Sequence, residues 1–556
     1  MTFHQDPPTL ENSFSHDIFL KWFLKGKLPP QHEDACRQEL IELGELAAGE
    51  MLTWAHQAED SPPVLVNFDA WGQRIDRIDT CQAWQELNAI AAQKGLISHG
   101  NNPHFGWQGR IFQMALLYLY HPSSAIYSCP LAMTDGAVTV LKLFADEALK
   151  RRALPHLTSR DPLQFWTSGQ WMTEQTGGSD VGQTSTMATP DGDHFLLNGD
   201  KWFTSATTSQ MAITLARTPN APLGSKGLSL FYLETRDQQG HLNGIRIHRL
   251  KDKLGTRALP TAELSLVNTK AWLIGEPGHG VRKIASMFNI TRIYNSVCAV
   301  SGMRRALDLA KSYAGKRTAF GKTLSQQPLH IETLCNLEVR FRASFLLTFY
   351  LVELQGKCEH LPPDSQHEAL RRILTPVCKL FTAKEAVAVI SEALECFGGA
   401  GYIEDTRIPV MLRNTQVLSI WEGTTNVLSL DLLRALQGEG FKPILKQAQS
   451  WLDAIQLESL TKAKQKIQGD LDQMRRYSQE LTTISRDCIE AGARNLAFAL
   501  ARIVSGCLLL NAAEKAPSQL RDSFAWAGNR HCHSFSVSEA FPSAEALAKS
   551  IKLVFS

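Results

Sequence analysis

The stretch Ser419-Ile420-Trp421-Glu422-Gly423-Thr424-Thr425-Asn426 sets one carboxylate between a tryptophan and a glycine. An apolar run follows at once, Val427, Leu428, Leu430, Leu432 and Leu433, and predicts a helix. Flanked by Ile420 and Trp421, the carboxylate is shielded from water. That favours its protonated form and moves it toward the range where it can accept a proton near neutral pH. Gly423 removes a side chain beside it and leaves room for a substrate against the main chain. Thr424 and Thr425 offer capping hydroxyls. A fragment of this kind also reads as a plain helix cap with a solvated charge, so the rest of the chain decides between the two.

Upstream, helical spacing of apolar residues predicts long helices over 281–316, 329–354 and 368–396, with a glycine-rich break at Gly398-Gly399-Ala400-Gly401. Between about 165 and 272 the texture changes to short alternating runs separated by Gly, Asp, Asn and Pro, such as Met211-Ala212-Ile213-Thr214-Leu215 and Leu228-Ser229-Leu230-Phe231-Tyr232-Leu233. These read as a compact all-β domain. The first 160 residues read as mostly helical, with helices over 33–58, 82–94 and 136–154. A linker at Gly438-Glu439-Gly440-Phe441-Lys442-Pro443 precedes a last helical segment. The expectation is an α+β multidomain protein: an N-terminal helical domain with an extension (1–161), a β-barrel-like domain (162–280), a second helical bundle (281–437) and a C-terminal helical extension (438–556).

A chain of 556 residues has room for roughly two to four domains. Its formal charge of +2 provides no global field toward nucleic acid or membrane. The 11 cysteines lie scattered from Cys36 to Cys532 without a CxxC pair, which points to reduced thiols and a cytoplasmic location. The N-terminus lacks the pattern of a secretory signal, and nothing reads as a membrane span. The most apolar window, 495–504, carries Arg502 and reads as a buried helix. His531-Cys532-His533 has no spaced partner pair, so no metal site is expected. Residues 441–556 hold 15 Lys plus Arg against 11 Asp plus Glu. Within that segment Lys462, Lys464, Lys466, Arg475 and Arg476 could face a phosphate backbone, although a solvated helix face is the simpler reading.

Two further stretches carry chemistry. Gln170-Trp171-Met172-Thr173-Glu174-Gln175-Thr176-Gly177-Gly178-Ser179-Asp180 is a hydroxyl- and glycine-rich turn that can present amides and hydroxyls to a phosphate. In Lys201-Trp202-Phe203-Thr204-Ser205-Ala206, strand periodicity puts Trp202 and Thr204 on one face, where an indole can pack on a planar ring and a hydroxyl can bond its heteroatoms. Phosphate-loop alternatives fail. Between Gly315 and Gly321 there are five residues instead of four, after a helix rather than a strand, and no GxGxxG follows a strand.

In order and spacing, Met172-Thr173-Glu174 with Gly178-Ser179-Asp180, then Lys201-Trp202-Phe203-Thr204, Arg317-Thr318-Ala319-Phe320-Gly321, Phe397-Gly398-Gly399-Ala400-Gly401-Tyr402 and Trp421-Glu422-Gly423-Thr424 resemble the acyl-CoA dehydrogenase flavoproteins. The match covers about residues 90–437. The N-terminal extension, Trp421, the stretch Lys251-Asp252-Lys253-Leu254-Gly255-Thr256-Arg257 and the long C-terminal segment look like the AidB-type branch and its eukaryotic long-chain relatives.

The resemblance implies FAD, lying between the β domain and the second helical domain, with its adenine end reaching a neighbouring subunit. Gln170, Met172 and Thr173 match positions lining the flavin ring. Gly178 and Ser179 match the turn near the pyrophosphate, and Trp202 and Thr204 match residues packed on and bonded to the isoalloxazine. Arg317, Phe320 and Leu324 would meet the partner subunit's FAD, with Glu395, Cys396 and Gly399 beside them, and Thr424 and Asn426 match further FAD contacts. A homodimer or homotetramer is therefore implied, with an electron-transfer flavoprotein as electron partner. Glu422 sits at the position of the family base, which removes the α-proton of a fatty acyl thioester while the β-hydride passes to flavin N5. Some members carry the base on an earlier helix directly before an arginine, but here that pair is Thr291-Arg292. Arg292, Trp421 and Gly423 fall at substrate-facing positions, Trp421 where straight-chain enzymes often have a tyrosine. The branch allows a second role: a weakly active flavoprotein that binds acyl-CoA, or DNA through its C-terminal segment, in a regulatory or protective capacity.

Overall fold

The computed structural model describes residues 4–437 and 440–533; Gly438 and Glu439 of the expected linker, and residues 534–556, lie outside the described residues. The chain divides into two compact units, one of residues 11–294 and one combining the N-terminal ten residues with 295 onward.

In the first unit, helices α1 (Ile18–Leu24), α2 (Glu33–Ala48) and α3 (Glu50–Asp60) precede a hairpin of β1 (Val64–Phe68) and β2 (Arg74–Asp79). Helices α4 (Gln82–Gln93), α5 (Gln108–Tyr120), α6 (Ser128–Phe144) and α7 (Glu147–Leu157) follow. Three local features differ from expectation. The helix expected over 33–58 is broken at Gly49, whose φ of −116° and ψ of −102° lie outside the helical region. The helix expected over 136–154 is two, because the Asp146 carboxylate accepts from Leu149 N at 2.8 Å and starts a new helix. The hairpin inside a region read as mostly helical belongs to the β domain. Asn67 and Arg74 donate to Ile247 O, Asp76 accepts from Ile247 N, and Leu65 and Ile78 pack on the barrel core.

Strands β3 (Ser168–Trp171), β4 (Met187–Asp191), β5 (His194–Ser205), β6 (Met211–Arg217), β7 (Leu228–Glu234), β8 (Ile245–Leu250) and β9 (Thr261–Leu273) form one seven-stranded sheet. Its order is β3-β6-β4-β5-β9-β7; β8 pairs with β9, and a β6–β7 pairing closes the ring. Closure removes the exposed edges an open sheet would leave. Trp171, Leu197, Phe231, Leu233, Leu264 and Leu266 fill the centre, as the alternating runs required.

Helix α8 (Gly280–Lys316) carries the chain into the second unit. A small hairpin, β10 (Thr318–Ala319) and β11 (Lys322–Thr323), leads to the long helices α9 (Pro328–His360) and α10 (Ser365–Glu395), then α11 (Ile408–Gln416) and α12 (Thr425–Ala435). The glycine-rich break is a 3-10 turn, Gly398–Gly401, where a side chain on Gly401 would collide with Leu394 O. The C-terminal extension is α13 (Lys442–Asp453), α14 (Thr461–Glu480), α15 (Arg486–Lys515) and α16 (Ser518–His533). Helix α15 is long and apolar enough to cross a bilayer, yet 83% of its most apolar window is buried against its neighbours, among them α9, α10 and α12. Its apolar character is thus used within the fold. His531 is turned inward too, its Nε2 3.1 Å from Ser505 Oγ.

Candidate active site

In the first unit, the turn after β3 is built on Glu174. Its buried carboxylate accepts from Lys201 Nζ (2.8 Å), Thr186 Oγ1 (2.6 Å), Ser185 N (2.7 Å) and Ser185 Oγ (2.8 Å). Burial pushes this carboxyl up, but the Lys201 ammonium and the hydroxyl and amide donors outweigh it and hold the group at about 2. The turn is tied to β5 again through Trp202 N, which donates to Thr173 O at 2.9 Å. Gly178 needs its missing side chain, since a Cβ there would lie 2.7 Å from Thr173 Oγ1. Gly178 and Ser179 themselves are exposed.

Strict alternation along 201–204 does not hold. A bulge in the β5–β9 ladder sets Lys201 opposite Leu264 and Thr204 opposite Ala262, so that Lys201 and Thr204 both point inward. Thr204 Oγ1 donates to Ala262 O at 2.7 Å, while Trp202 stays partly exposed with Lys251 Nζ 3.6 Å from its ring centroid. Met172 is buried, and Gln170 Oε1 is a buried acceptor with no hydrogen-bond partner.

In the second unit, Arg317, Phe320 and Leu324 share the β10–β11 hairpin. Leu324 N donates to Arg317 O, and Gln327 Nε2 braces the turn through Ala319 O. Phe320, at a φ of +52°, is 99% exposed at the tip. Leu324 and Cys396 pack on one cluster with Tyr313 and Phe397, while Glu395 and Gly399 are exposed beside it. The N-terminal strap reaches the same place: Gln5 Oε1 accepts from Arg317 Nη1, and Pro7 O from Lys316 Nζ.

Glu422 lies in the second unit between α11 and α12, half-buried, with a φ of +57°. Gly423 follows at +106°, where a Cβ would sit 3.0 Å from Leu428 Cδ2, so only glycine fits there. Thr424 occupies the N-cap of α12 without a side-chain capping bond, and Thr425 is the first helical residue. Asn426 is exposed on that first turn. On the other flank Trp421 N donates to Val417 O, and Trp421 Nε1 is buried without a partner. Gly423 O accepts from Lys379 Nζ at 2.7 Å. Sequence reading passed over Lys379, whose signal was a lone charge within Val377-Cys378-Lys379-Leu380-Phe381. Arg292 is in the first unit on α8, half-buried, its guanidinium 5.9 Å from the Phe288 ring centroid.

Family models match nearly the whole chain: the adaptive response protein AidB N-terminal domain at residues 6–161, the acyl-CoA dehydrogenase middle domain at 169–269, the acyl-CoA dehydrogenase C-terminal domain at 278–437, and the acyl-CoA dehydrogenase 11 C-terminal domain-like model at 442–555. The chain is 43% identical over 528 residues to acyl-CoA dehydrogenase family member 11 of Caenorhabditis elegans, covering 92% of this chain and 85% of that protein. The chain belongs to the acyl-CoA dehydrogenase family.

It is also 31% identical to the putative acyl-CoA dehydrogenase AidB of Escherichia coli, over 74% of this chain and 76% of that protein. The crystal structure of C. elegans ACDH-11 in complex with C11-CoA superposes with a TM-score of 0.95 at 41% identity, covering all of this chain and 96% of that one. An acyl-CoA dehydrogenase from Bacillus anthracis complexed with FAD shares the fold, with a TM-score of 0.72 at 18% identity over 95% of this chain and 90% of that one. As an acyl-CoA dehydrogenase the protein is an FAD-binding oxidoreductase. Its residues fit the cofactor: the unpartnered Gln170 Oε1 faces no protein donor, and a flavin ring carries an N–H that can supply one.

That orphan acceptor leads to a result of opposite sign in two assays. Gln170→Leu is expected to leave the apoprotein as stable or more stable, because a buried unsatisfied group is removed. FAD affinity should fall by about tenfold, the scale of one lost hydrogen bond. Thermal melts of apoprotein together with flavin fluorescence titration check both halves.

Proposed function

We propose that the protein dehydrogenates a fatty acyl-CoA thioester, with Glu422 as the base that removes the α-proton. The observation that supports this reading most directly is the backbone at Glu422. A non-glycine residue at a φ of +57° is disfavoured, and residues held there against preference cluster at functional sites. The relative bound to C11-CoA supports an acyl-CoA ligand for this chain as well.

In this reading the Glu422 carboxylate holds the abstracted proton, and its main-chain amide donates to the thioester oxygen, stabilising the charge that develops there. Gly423 keeps the approach clear, and Trp421 bounds the acyl chain, with Arg292 as a further substrate contact. FAD, when bound, would supply the hydride acceptor that complements proton removal by Glu422. The residues that would hold FAD are Gln170, Met172, Thr173, Gly178, Ser179, Trp202 and Thr204, with Thr424 and Asn426. The partner subunit's cofactor would meet Arg317, Phe320 and Leu324, with Glu395, Cys396 and Gly399 adjacent. The exposed Phe320 supports a dimer or tetramer, because an aromatic ring at a hairpin tip gains from being covered. Electrons would leave to an electron-transfer flavoprotein in the cytoplasm.

The other role, DNA association through the C-terminal extension, draws little support from the geometry there. Lys464 Nζ donates to Ile455 O, Lys466 pairs with Asp470 and Arg475 with Asp472, leaving Lys462 and Arg476 exposed.

Anaerobic titration of the flavin-loaded protein with acyl-CoAs of graded chain length tests the reading. Flavin absorbance should bleach with at least one saturated acyl-CoA. If none bleaches it, the dehydrogenase reading fails.

A further inference from the structure

We propose that Lys379 is a positioning residue for Glu422, holding the base in its left-handed backbone conformation through the Gly423 carbonyl. The inference rests on the assignment of Glu422 as base.

Lys379 lies on α10 in a run that is apolar on both sides: Val377, Cys378, Leu380 and Phe381 are all buried, and Lys379 itself is fully buried. Burying an ammonium is costly unless strong acceptors meet it. Gly423 O, at 2.7 Å, is such an acceptor, and a charge-assisted bond of this length is among the stronger ones a backbone carbonyl makes. That carbonyl belongs to the residue directly after the base. Glu422 is therefore flanked by fixed points: Trp421 N on Val417 O before it, the Lys379 bond on Gly423 after it, and the first turn of α12, where Leu428 N donates to Thr424 O.

Position 422 needs such holding. The left-handed region disfavours a residue with a Cβ, so a free loop would relax Glu422 to negative φ and swing its carboxylate away. Gly423 has the opposite problem: at a φ of +106° glycine has many alternatives, and the bond from Lys379 selects one of them. The lysine thus acts on the carbonyl of the residue that directly follows the base. Its effect falls on proton abstraction, because misplacement of a reacting group by about an ångström can cost on the order of a hundredfold in rate.

The experiment compares wild type, Glu422→Gln, Lys379→Met and Lys379→Gln as flavin-loaded proteins. Three readouts are taken: affinity for C11-CoA, the limiting rate of anaerobic flavin reduction at saturating C11-CoA, and amide hydrogen exchange of residues 417–426. For Lys379→Met the expected result is flavin retained, affinity within about threefold, a limiting rate lower by about 10- to 100-fold, and exchange at 421–424 faster by about tenfold. Lys379→Gln keeps an N–H donor on a shorter stem and should fall between the two. An unchanged limiting rate, or a slowed rate with unchanged exchange, overturns the proposal. If Lys379→Met does not fold, Lys379→Gln decides by the same criteria. If C11-CoA bleaches Glu422→Gln as fast as wild type, the base assignment is what has failed, and the exchange data still report whether Lys379 holds the loop.

Discussion

Glu422→Gln is expected to slow flavin reduction by an acyl-CoA by about a thousand- to ten-thousand-fold, the upper range for removing a general base. The amide nearly matches the carboxylate in size, so the loop, FAD content and acyl-CoA affinity should change little. What it cannot do is accept the α-proton. Among the residues at the family's two base positions, only Glu422 is ionisable as an acid, since the earlier helix carries Thr291 before Arg292. Thr291 is buried within α8 and cannot substitute. Anaerobic stopped-flow absorbance on wild type and variant at saturating acyl-CoA measures the effect. A variant within tenfold of wild type would show that another group takes the proton.

How much of this was legible in the chain follows from the range of the interactions involved. Periodicity is local, so the long helices of the second unit and the strands of the barrel emerged close to their true limits. α8 begins one residue before the expected 281, for example. The break at Gly49 was missed because apolar spacing stays nearly in phase across a single interrupted residue. The β1–β2 hairpin was missed for a different reason. It is tied to β8, some 170 residues later, by the bond from Ile247 N to the Asp76 carboxylate, and nothing near residue 70 signals that partner. The bulge at 202–203 belongs to the pairing of β5 with β9, not to β5 alone. In the candidate site, Gly423 announced an unusual backbone, whereas the positive φ of Glu422 itself had no residue-type signature. Lys379 was invisible as a functional residue because its partner, Gly423, is far along the chain. Order and spacing of the motifs still pointed to the family, since each motif is local even where the contacts it makes are not.

Lys201→Met should cost about 3–5 kcal/mol of stability near neutral pH, the range for breaking a buried ion pair by removing one partner. Both members are buried, and Glu174 keeps its other donors, so the variant retains an ionised carboxylate without its counter-charge. The pH dependence separates this cause from lost packing. In the wild type the Glu174 carboxyl is held at about 2, below its ordinary 4.5. Its contribution is therefore fully present above about pH 4.5 and fades as the pH falls toward 2. Lys201 acts in the opposite sense, since burial lowers its pKa and so disfavours the charged form in the fold. Stability from that group rises as the pH climbs from its folded value toward its ordinary 10.5. Removing the ammonium takes away the chief cause that lowers the Glu174 carboxyl and raises its folded pKa from its wild-type position. The deficit of the variant is then full near pH 7 and shrinks as the pH falls to about 3. Because Trp202 N is bonded to Thr173 O next to Glu174, loosening this pair should also weaken FAD binding, by about tenfold on the scale of one hydrogen bond. Urea unfolding of apoprotein at the two pH values and flavin titration of the same variant give both quantities. A deficit that stays constant between them would assign the loss to side-chain packing and leave the charge on Glu174 without a structural role.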